Sequence, residues 1–306
     1  MTEDWPRDEA PVESAEWLDE GVNPAEEAEV LPAPAPRFAG PCTLLRQDEV
    51  KPEHFLARVA APEIAASAMP GQFLHVLCTP ADAPASSPLL RRPISISRID
   101  RAEGWVEFLY RVVGEGTGLL SNLRPGVRLD IMGPLGTPFR LDDVADDHHI
   151  LVGGGVGIPP MLFLAEHLMA SPRPRRVTVL LGGRTAGLVL CEDDFRGLGL
   201  APRIITDDGS LGRQGLVTEL LDETLQKAAH PRVYACGPVP MLRAVDNVCR
   251  RNEAPCQVSF EARMACGVGA CLSCVIPTTT GYQRVCTEGP VFPSDAVIWT
   301  AELNLH

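Results

Sequence analysis

The chain contains no long apolar run. None of its hydrophobic stretches approaches the about eighteen residues that a membrane-spanning helix requires. Basic residues are scarce: 27 Lys and Arg stand against 40 Asp and Glu. No basic stripe of the kind that tracks a phosphate backbone is present, so neither a membrane span nor a nucleic-acid partner is expected. The first residues, Met1-Thr-Glu-Asp-Trp-Pro, lack the positive charge that opens a signal or transit peptide. A cytoplasmic setting with reduced thiols is the corresponding expectation. Internal repeats are missing. The ten cysteines are spread too thinly over 306 residues to form the framework of a small disulfide scaffold. Cys42, Cys78, Cys191, Cys249 and Cys256 each stand alone and read as small core residues.

The formal net charge of −13 is unevenly placed. Residues 1–36 hold eleven acidic residues and one basic residue, Arg7, and end in Leu31-Pro-Ala-Pro-Ala-Pro36. The rest of the chain carries a net charge of only −3. A segment so acidic and so rich in Ala and Pro buries too little apolar surface to offset its ordering entropy. Residues 1–38 are therefore expected to form a disordered, solubilising tail. Trp5, Trp17 and Leu18 leave room in it for a short docking motif.

What is present predicts three folded parts, matching a length prior of about two to three domains. Over residues 39–145, short alternating stretches such as Gln72–Cys78, Ile94–Ser97, Trp105–Val112 and Val127–Met132 are separated by Pro and Gly turns. That pattern predicts a small antiparallel β-barrel. Over residues 146–255 the pattern changes to alternating strands and helices. The strands are His149–Gly153, Val177–Leu181, Arg203–Thr206 and Arg232–Cys236; the helices are Pro159–Ala170, Leu216–Ala229 and Val239–Arg250. An open parallel α/β sheet with helices on both faces is expected there. Residues 256–306 form a separate cysteine-bearing module.

In that module Cys266-Gly-Val-Gly-Ala-Cys271-Leu-Ser-Cys274 is followed, after eleven residues, by Cys286. C-x4-C-x2-C with a distant fourth cysteine is the spacing of a plant-type 2Fe–2S site. The small residues Gly267, Gly269 and Ala270 let thiolates and backbone N–H groups turn toward one compact core. A four-cysteine zinc site is the alternative, but it commonly uses two short C-x2-C knuckles and only one is present. A cluster of this type moves one electron at a time.

Four further motifs read as nucleotide sites. Arg92-Pro93-Ile94-Ser95 enters a barrel strand; the Arg92 fork suits a phosphate and Ser95 can reach a flavin edge, against the plain reading of a surface ion pair. Gly114-Glu-Gly116-Thr117-Gly118 leads into a helix, where backbone N–H groups favour an anion and Thr117 can cap the helix and donate to phosphate. Together these two suggest one pyrophosphate. Gly153-Gly154-Gly155-Val-Gly157-Ile-Pro-Pro160 lies between a strand and a helix and suits a dinucleotide. It departs from G-x-G-x-x-G because Ile158 replaces the third glycine, and no acidic residue follows about twenty positions on. Arg184 ends the next strand, so residue chemistry leaves NAD and NADP both open. Cys236-Gly237-Pro238 closes a later strand, where Cys236 either borders a nicotinamide or is a buried thiol.

With these motifs in place, the chain resembles the ferredoxin-reductase superfamily. Within it, it resembles the iron–sulfur flavoprotein subunits of NAD-dependent dihydroorotate dehydrogenases. The resemblance spans about residues 40–300. It rests on Arg92-Pro93-Ile94-Ser95, Leu109-Tyr110-Arg111, Gly116-Thr117, the stretch Glu261-Ala-Arg-Met264 through Cys274, and Cys286-Thr-Glu-Gly-Pro-Val-Phe292. It implies FAD on the first three segments, NAD as substrate near Gly154, Gly155, Gly157, Cys236 and Gly237, and a 2Fe–2S cluster on the four cysteines. It carries no catalytic side chain. It also implies an FMN-containing catalytic partner subunit in a heterotetramer acting in pyrimidine biosynthesis. A conduit serving a hydrogenase-like, sulfide-linked or glutamate synthase-type complex is the alternative. The acidic tail departs from the family pattern.

Overall fold

In the barrel, strand residues alternate between a dry interior and an outer face. The computed structural model describes residues 38–83, 88–141, 147–172, 175–300 and 303. The acidic tail expected to be disordered lies outside the described residues. Strands β1 (Phe38–Lys51), β2 (His54–Ala60), β3 (Phe73–Pro80), β4 (Arg92–Asp100), β5 (Trp105–Arg111) and β6 (Arg128–Leu135) close a barrel in the order β1-β2-β5-β4-β3-β6. Leu44, Val59, Leu74, Val76, Ile96, Phe108 and Ile131 fill its interior. Helices α1 (Pro62–Ser67) and α2 (Glu115–Ser121) add Ile64 and Leu120 to the same core.

The second layer begins with β7 (His148–Gly154), every residue of which is buried. It leads into α3 (Ile158–Met169), whose prolines occupy the first turn, where N–H groups have no intrahelical partner. Then follow β8 (Arg176–Gly183), α4 (Glu192–Gly197), β9 (Arg203–Thr206), β10 (Arg213–Gln214), α5 (Val217–Leu225), β11 (Pro231–Cys236) and α6 (Val239–Arg251). Alternate residues of β7 face opposite layers. Ile150 and Val152 pack with α5 and α6. Leu151 packs with α3 and with Phe195 of α4. The expected two-faced α/β arrangement is therefore present.

The sheet does not stop at residue 255, where the expected module begins. Strand β12 (Cys256–Ser259) pairs parallel to β11, and β15 (Val291–Pro293) adds an antiparallel edge. The order is β10-β9-β8-β7-β11-β12-β15, so the expected open parallel sheet ends in one antiparallel strand. Between those two strands lie the cysteine loop and a small hairpin, β13 (Val275–Thr278) with β14 (Gly281–Arg284). Phe73 and Leu135, from the outer face of the barrel, share one core with Cys274, Ile276, Val285 and Cys286. The cysteine loop thus sits against the β3–β6 side of the barrel. All described residues belong to one compact unit, Ala33–His306. No helix among them is long and apolar enough to cross a membrane.

Candidate functional site

The cysteine loop turns inward through three residues with left-handed backbone: Gly267 (φ 71°), Gly269 (φ 79°) and Leu272 (φ 58°). Among the described residues no three His, Cys, Asp or Glu side chains converge as one metal ion would require. The thiols meet in pairs instead. Cys271 interacts with Cys266, and Cys274 with Cys286. Two such pairs are an arrangement that the two irons of a 2Fe–2S cluster can use. The Gly269 N–H donates to Cys286 Sγ at 3.1 Å and the Val268 N–H to Cys266 Sγ at 3.4 Å. The Ser273 hydroxyl lies 3.1 Å from Cys271 Sγ, and with Cys266 it lowers that thiol to about 6. A hydrogen bond with Cys286 lowers Cys274 to about 6, while the same hydrogen bond, together with burial, pushes the Cys286 thiol up. Cys271 and Cys274 thus lean toward the thiolate form, and the backbone of the loop supplies donors to Cys266 and Cys286. All ten cysteines are free.

Arg284 ties this loop together. It pairs with Glu288 and donates from Nη1 to the Gly269 carbonyl at 3.2 Å. The barrel holds the other side. The Thr137 N–H donates to Gly289 O at 2.6 Å and its hydroxyl to Thr287 O at 3.1 Å. His75 of β3 lies against Gly267: a Cβ there would be 2.5 Å from His75 Nδ1. The imidazole is buried, and burial together with Arg91 lowers it to about 4. Sequence reasoning missed Arg284, Thr137 and His75. A lone histidine in an apolar strand gives no signal that separates it from a core residue.

The three flavin segments expected from sequence come together on the barrel. Strands β4 and β5 are antiparallel with Ile96 opposite Phe108, which brings Ser95 and Leu109 to neighbouring positions. The Arg92 guanidinium lies over Gly116, where a Cβ would be 2.9 Å from Nη2. That close approach joins the first two motifs. Arg92 Nη1 donates to Leu90 O at 2.6 Å. Thr117 is spent locally: Oγ1 accepts from the Val113 N–H at 2.9 Å and donates to Gly114 O at 3.2 Å. Ile94 and Tyr110 point into the barrel. Tyr110 donates to Gln47 Oε1 at 3.2 Å, so its backbone is what remains to meet a cofactor. Arg111 pairs with Glu53 at 3.0 Å. Pro93 stands opposite His75 in the β3–β4 ladder.

The two dinucleotide motifs also converge. Gly153 is opposite Cys236 in the β7–β11 ladder. A Cβ on Gly157 would be 2.3 Å from the Cys236 carbonyl oxygen, and one on Gly154 2.4 Å from Met241 Sδ. Gly155 has open space where a side chain would stand. Gly237 follows Cys236 at the same carboxyl edge of the sheet. Cys236 is buried, and burial pushes its thiol up to about 12, so it stays neutral. Arg184 is exposed beyond the end of β8.

A closed barrel beside a nucleotide-type sheet, with a paired-thiol loop between them, defines a ferredoxin-reductase-like oxidoreductase. The family model described as an oxidoreductase NAD-binding domain matches residues 151–247. The one described as the iron–sulfur cluster binding domain of dihydroorotate dehydrogenase B matches residues 261–298. The electron transfer subunit of dihydroorotate dehydrogenase B (NAD+) from Desulforamulus reducens is 41% identical over 82% of this chain and 94% of its own. Its counterpart from Geobacillus thermodenitrificans is 43% identical over 75% and 86%. The chain belongs to this family of dihydroorotate dehydrogenase B electron transfer subunits. Among solved structures, an NADH-dependent reduced ferredoxin-NADP oxidoreductase matches with a TM-score of 0.75 and 27% identity, over 84% of this chain and 90% of that one. A flavohemoglobin from Malassezia yamatoensis, at 19% identity and a TM-score of 0.56 over 72% of this chain and 58% of that one, shares the fold.

Proposed function

We propose that this chain passes electrons between an FMN-containing catalytic dihydroorotate dehydrogenase subunit and NAD, through a 2Fe–2S cluster and FAD, in the cytoplasm. The single observation that carries the reading is the placement of the four cysteines. They form two thiol pairs against the outer face of the barrel whose strands β4 and β5, with helix α2, bear the three flavin segments. When bound, the flavin exchanges a hydride with nicotinamide and single electrons with the cluster. The chain's own residues provide the seats. Arg92 and the start of α2 hold the pyrophosphate; Ser95 and the backbone of Leu109-Tyr110-Arg111 hold the flavin. Gly154, Gly155, Gly157 and the Cys236-Gly237 edge let the dinucleotide approach closely. Cys266 with Cys271 and Cys274 with Cys286 ligate one iron each. A heterotetramer is the assembly this reading includes.

The test is co-purification with the catalytic subunit, followed by dihydroorotate-dependent reduction of NAD and by the absorbance spectrum. Flavin and cluster bands with NAD reduction are expected. A complex that lacks either band, or that reduces NAD only with another donor, overturns the reading. The likeness to the ferredoxin-NADP oxidoreductase, a structure described for flavin-based electron bifurcation, favours the same conduit with a different partner as the second reading.

A further inference from the structure

Side chains of β3 alternate between the barrel interior and the cysteine-bearing segment. Leu74, Val76 and Cys78 fill the barrel. Phe73 faces the other way, into the core that contains Cys274 and Cys286. His75 shares the side of Phe73 by strand periodicity and is only 1% exposed. Neither of its ring nitrogens has a hydrogen-bond partner. A neutral imidazole carries one donor and one acceptor, and a dry site penalises both when idle.

The ring is aimed at the loop. Its Nδ1 is the atom that a Cβ on Gly267 would strike first, at 2.5 Å, and Gly267 has the left-handed backbone that glycine favours (φ 71°). The backbone groups of Cys266 and Arg91 approach the ring without closing a hydrogen bond. Across the ladder His75 stands opposite Pro93, within the segment assigned to the flavin. One buried, unsatisfied side chain therefore touches the cysteine loop from the strand next to the flavin segment.

We propose that His75 is a positioning residue of the iron–sulfur site, its imidazole N–H donating to the Cys266 end of the loop and seating the cluster against the flavin-bearing strand. The inference rests on the ligand reading of the four cysteines. Hydrogen bonds to the groups around a cluster stabilise its more negative, reduced state and raise its potential.

The test compares the full native chain with His75→Phe, which keeps a flat ring without a donor, and His75→Gln, which keeps a donor. All three are reconstituted with iron and sulfide. Iron content, the EPR signal of the reduced cluster and a redox titration are read, with the bound flavin as internal reference. In His75→Phe, cluster reduction is expected to be about tenfold less favourable, a shift of about 59 mV for one electron, with a changed EPR line shape. His75→Gln is expected to stay near the native potential, and the flavin potential to be the same in all three. If His75→Phe fails to retain iron, retention by His75→Gln alone supports the role. Equal potentials and line shapes in native and His75→Phe overturn it, as does equal loss of iron in both variants. A native chain that takes up no 2Fe–2S cluster overturns the ligand reading instead, so the two failures are distinct.

Discussion

At the residue scale, the thiol pairs and the Arg92 fork divide the chemistry between two seats. Cys271 is exposed and Cys274 buried, yet each is paired with another thiol. Cys271→Ala leaves one iron with a single protein ligand. Its purified protein should lose most iron and sulfide while flavin absorbance stays, because Arg92 and Ser95 lie on β4, apart from the cysteine loop. Full iron content in that variant would show that Cys271 is not a ligand. Arg92→Ala should remove one charge-assisted phosphate contact, worth about 1.5–3 kcal/mol. That weakens FAD by about ten- to more than a hundredfold, measured as flavin retained after dialysis, with iron nearly unchanged. Unchanged flavin retention counts against the Arg92 seat. These residues were legible in sequence because spacing carries information: C-x4-C-x2-C restricts chemistry, and a Gly-rich turn restricts backbone. His75 was not legible, because its neighbours Leu74 and Val76 are ordinary barrel core and only the fold brings Gly267 to its other side.

At the scale of elements, the turn between β7 and α3 is a tight joint of the sheet. Gly157 lies directly on the Cys236 carbonyl. Its own φ of −82° suits any residue, so the constraint there is space. Gly157→Val should push the start of α3 off β11. A fall in melting temperature and a raised KM for NADH are expected, with the barrel-bound flavin retained. A variant with native KM would separate this turn from nucleotide binding. The strands β3 to β6, the strands β7, β8, β9 and β11 and the helices α3, α5 and α6 were readable from alternation and from glycine punctuation, whereas the short α4 and β10 were not. Strand β1 was not, because Pro41 and the polar run Arg46-Gln-Asp-Glu49 break its alternation while it bends around the barrel. The strands β12 and β15 were not readable either. Each has four residues or fewer, and their register depends on β11, far away in sequence.

For the whole molecule, acid should act through buried imidazoles. Burial, reinforced by Arg176 and His149, lowers His148 to about 4, and burial with Arg175 lowers His149. Both are neutral in the folded chain, whereas an unfolded chain binds protons below about pH 6.5. The stability they contribute is complete above that value and is lost as pH falls below it, for His148 down to about 4. Urea midpoints measured from pH 7.5 to 5 should fall, and fall less steeply in His148→Gln. A slope unchanged by that substitution would exclude His148. Electron order is a second property of the whole molecule. With the catalytic subunit present, Cys286→Ala should still let NADH bleach the flavin in stopped flow, yet leave the partner's flavin oxidised. Normal reduction of the partner would mean that the two flavins communicate directly.

The bonds from Thr137 to Thr287 and Gly289 join positions about 150 residues apart in the chain. The wall behind the fourth cysteine therefore does not exist until barrel, sheet and C-terminal segment have all found one another. Contacts of such sequence separation form late, because loop closure must precede them. Iron should then be received only by a finished chain. Cluster loading becomes a checkpoint on assembly, and the excised segment 256–306 should remain colourless when offered iron and sulfide. A half-made protein would have no place to hold the cluster.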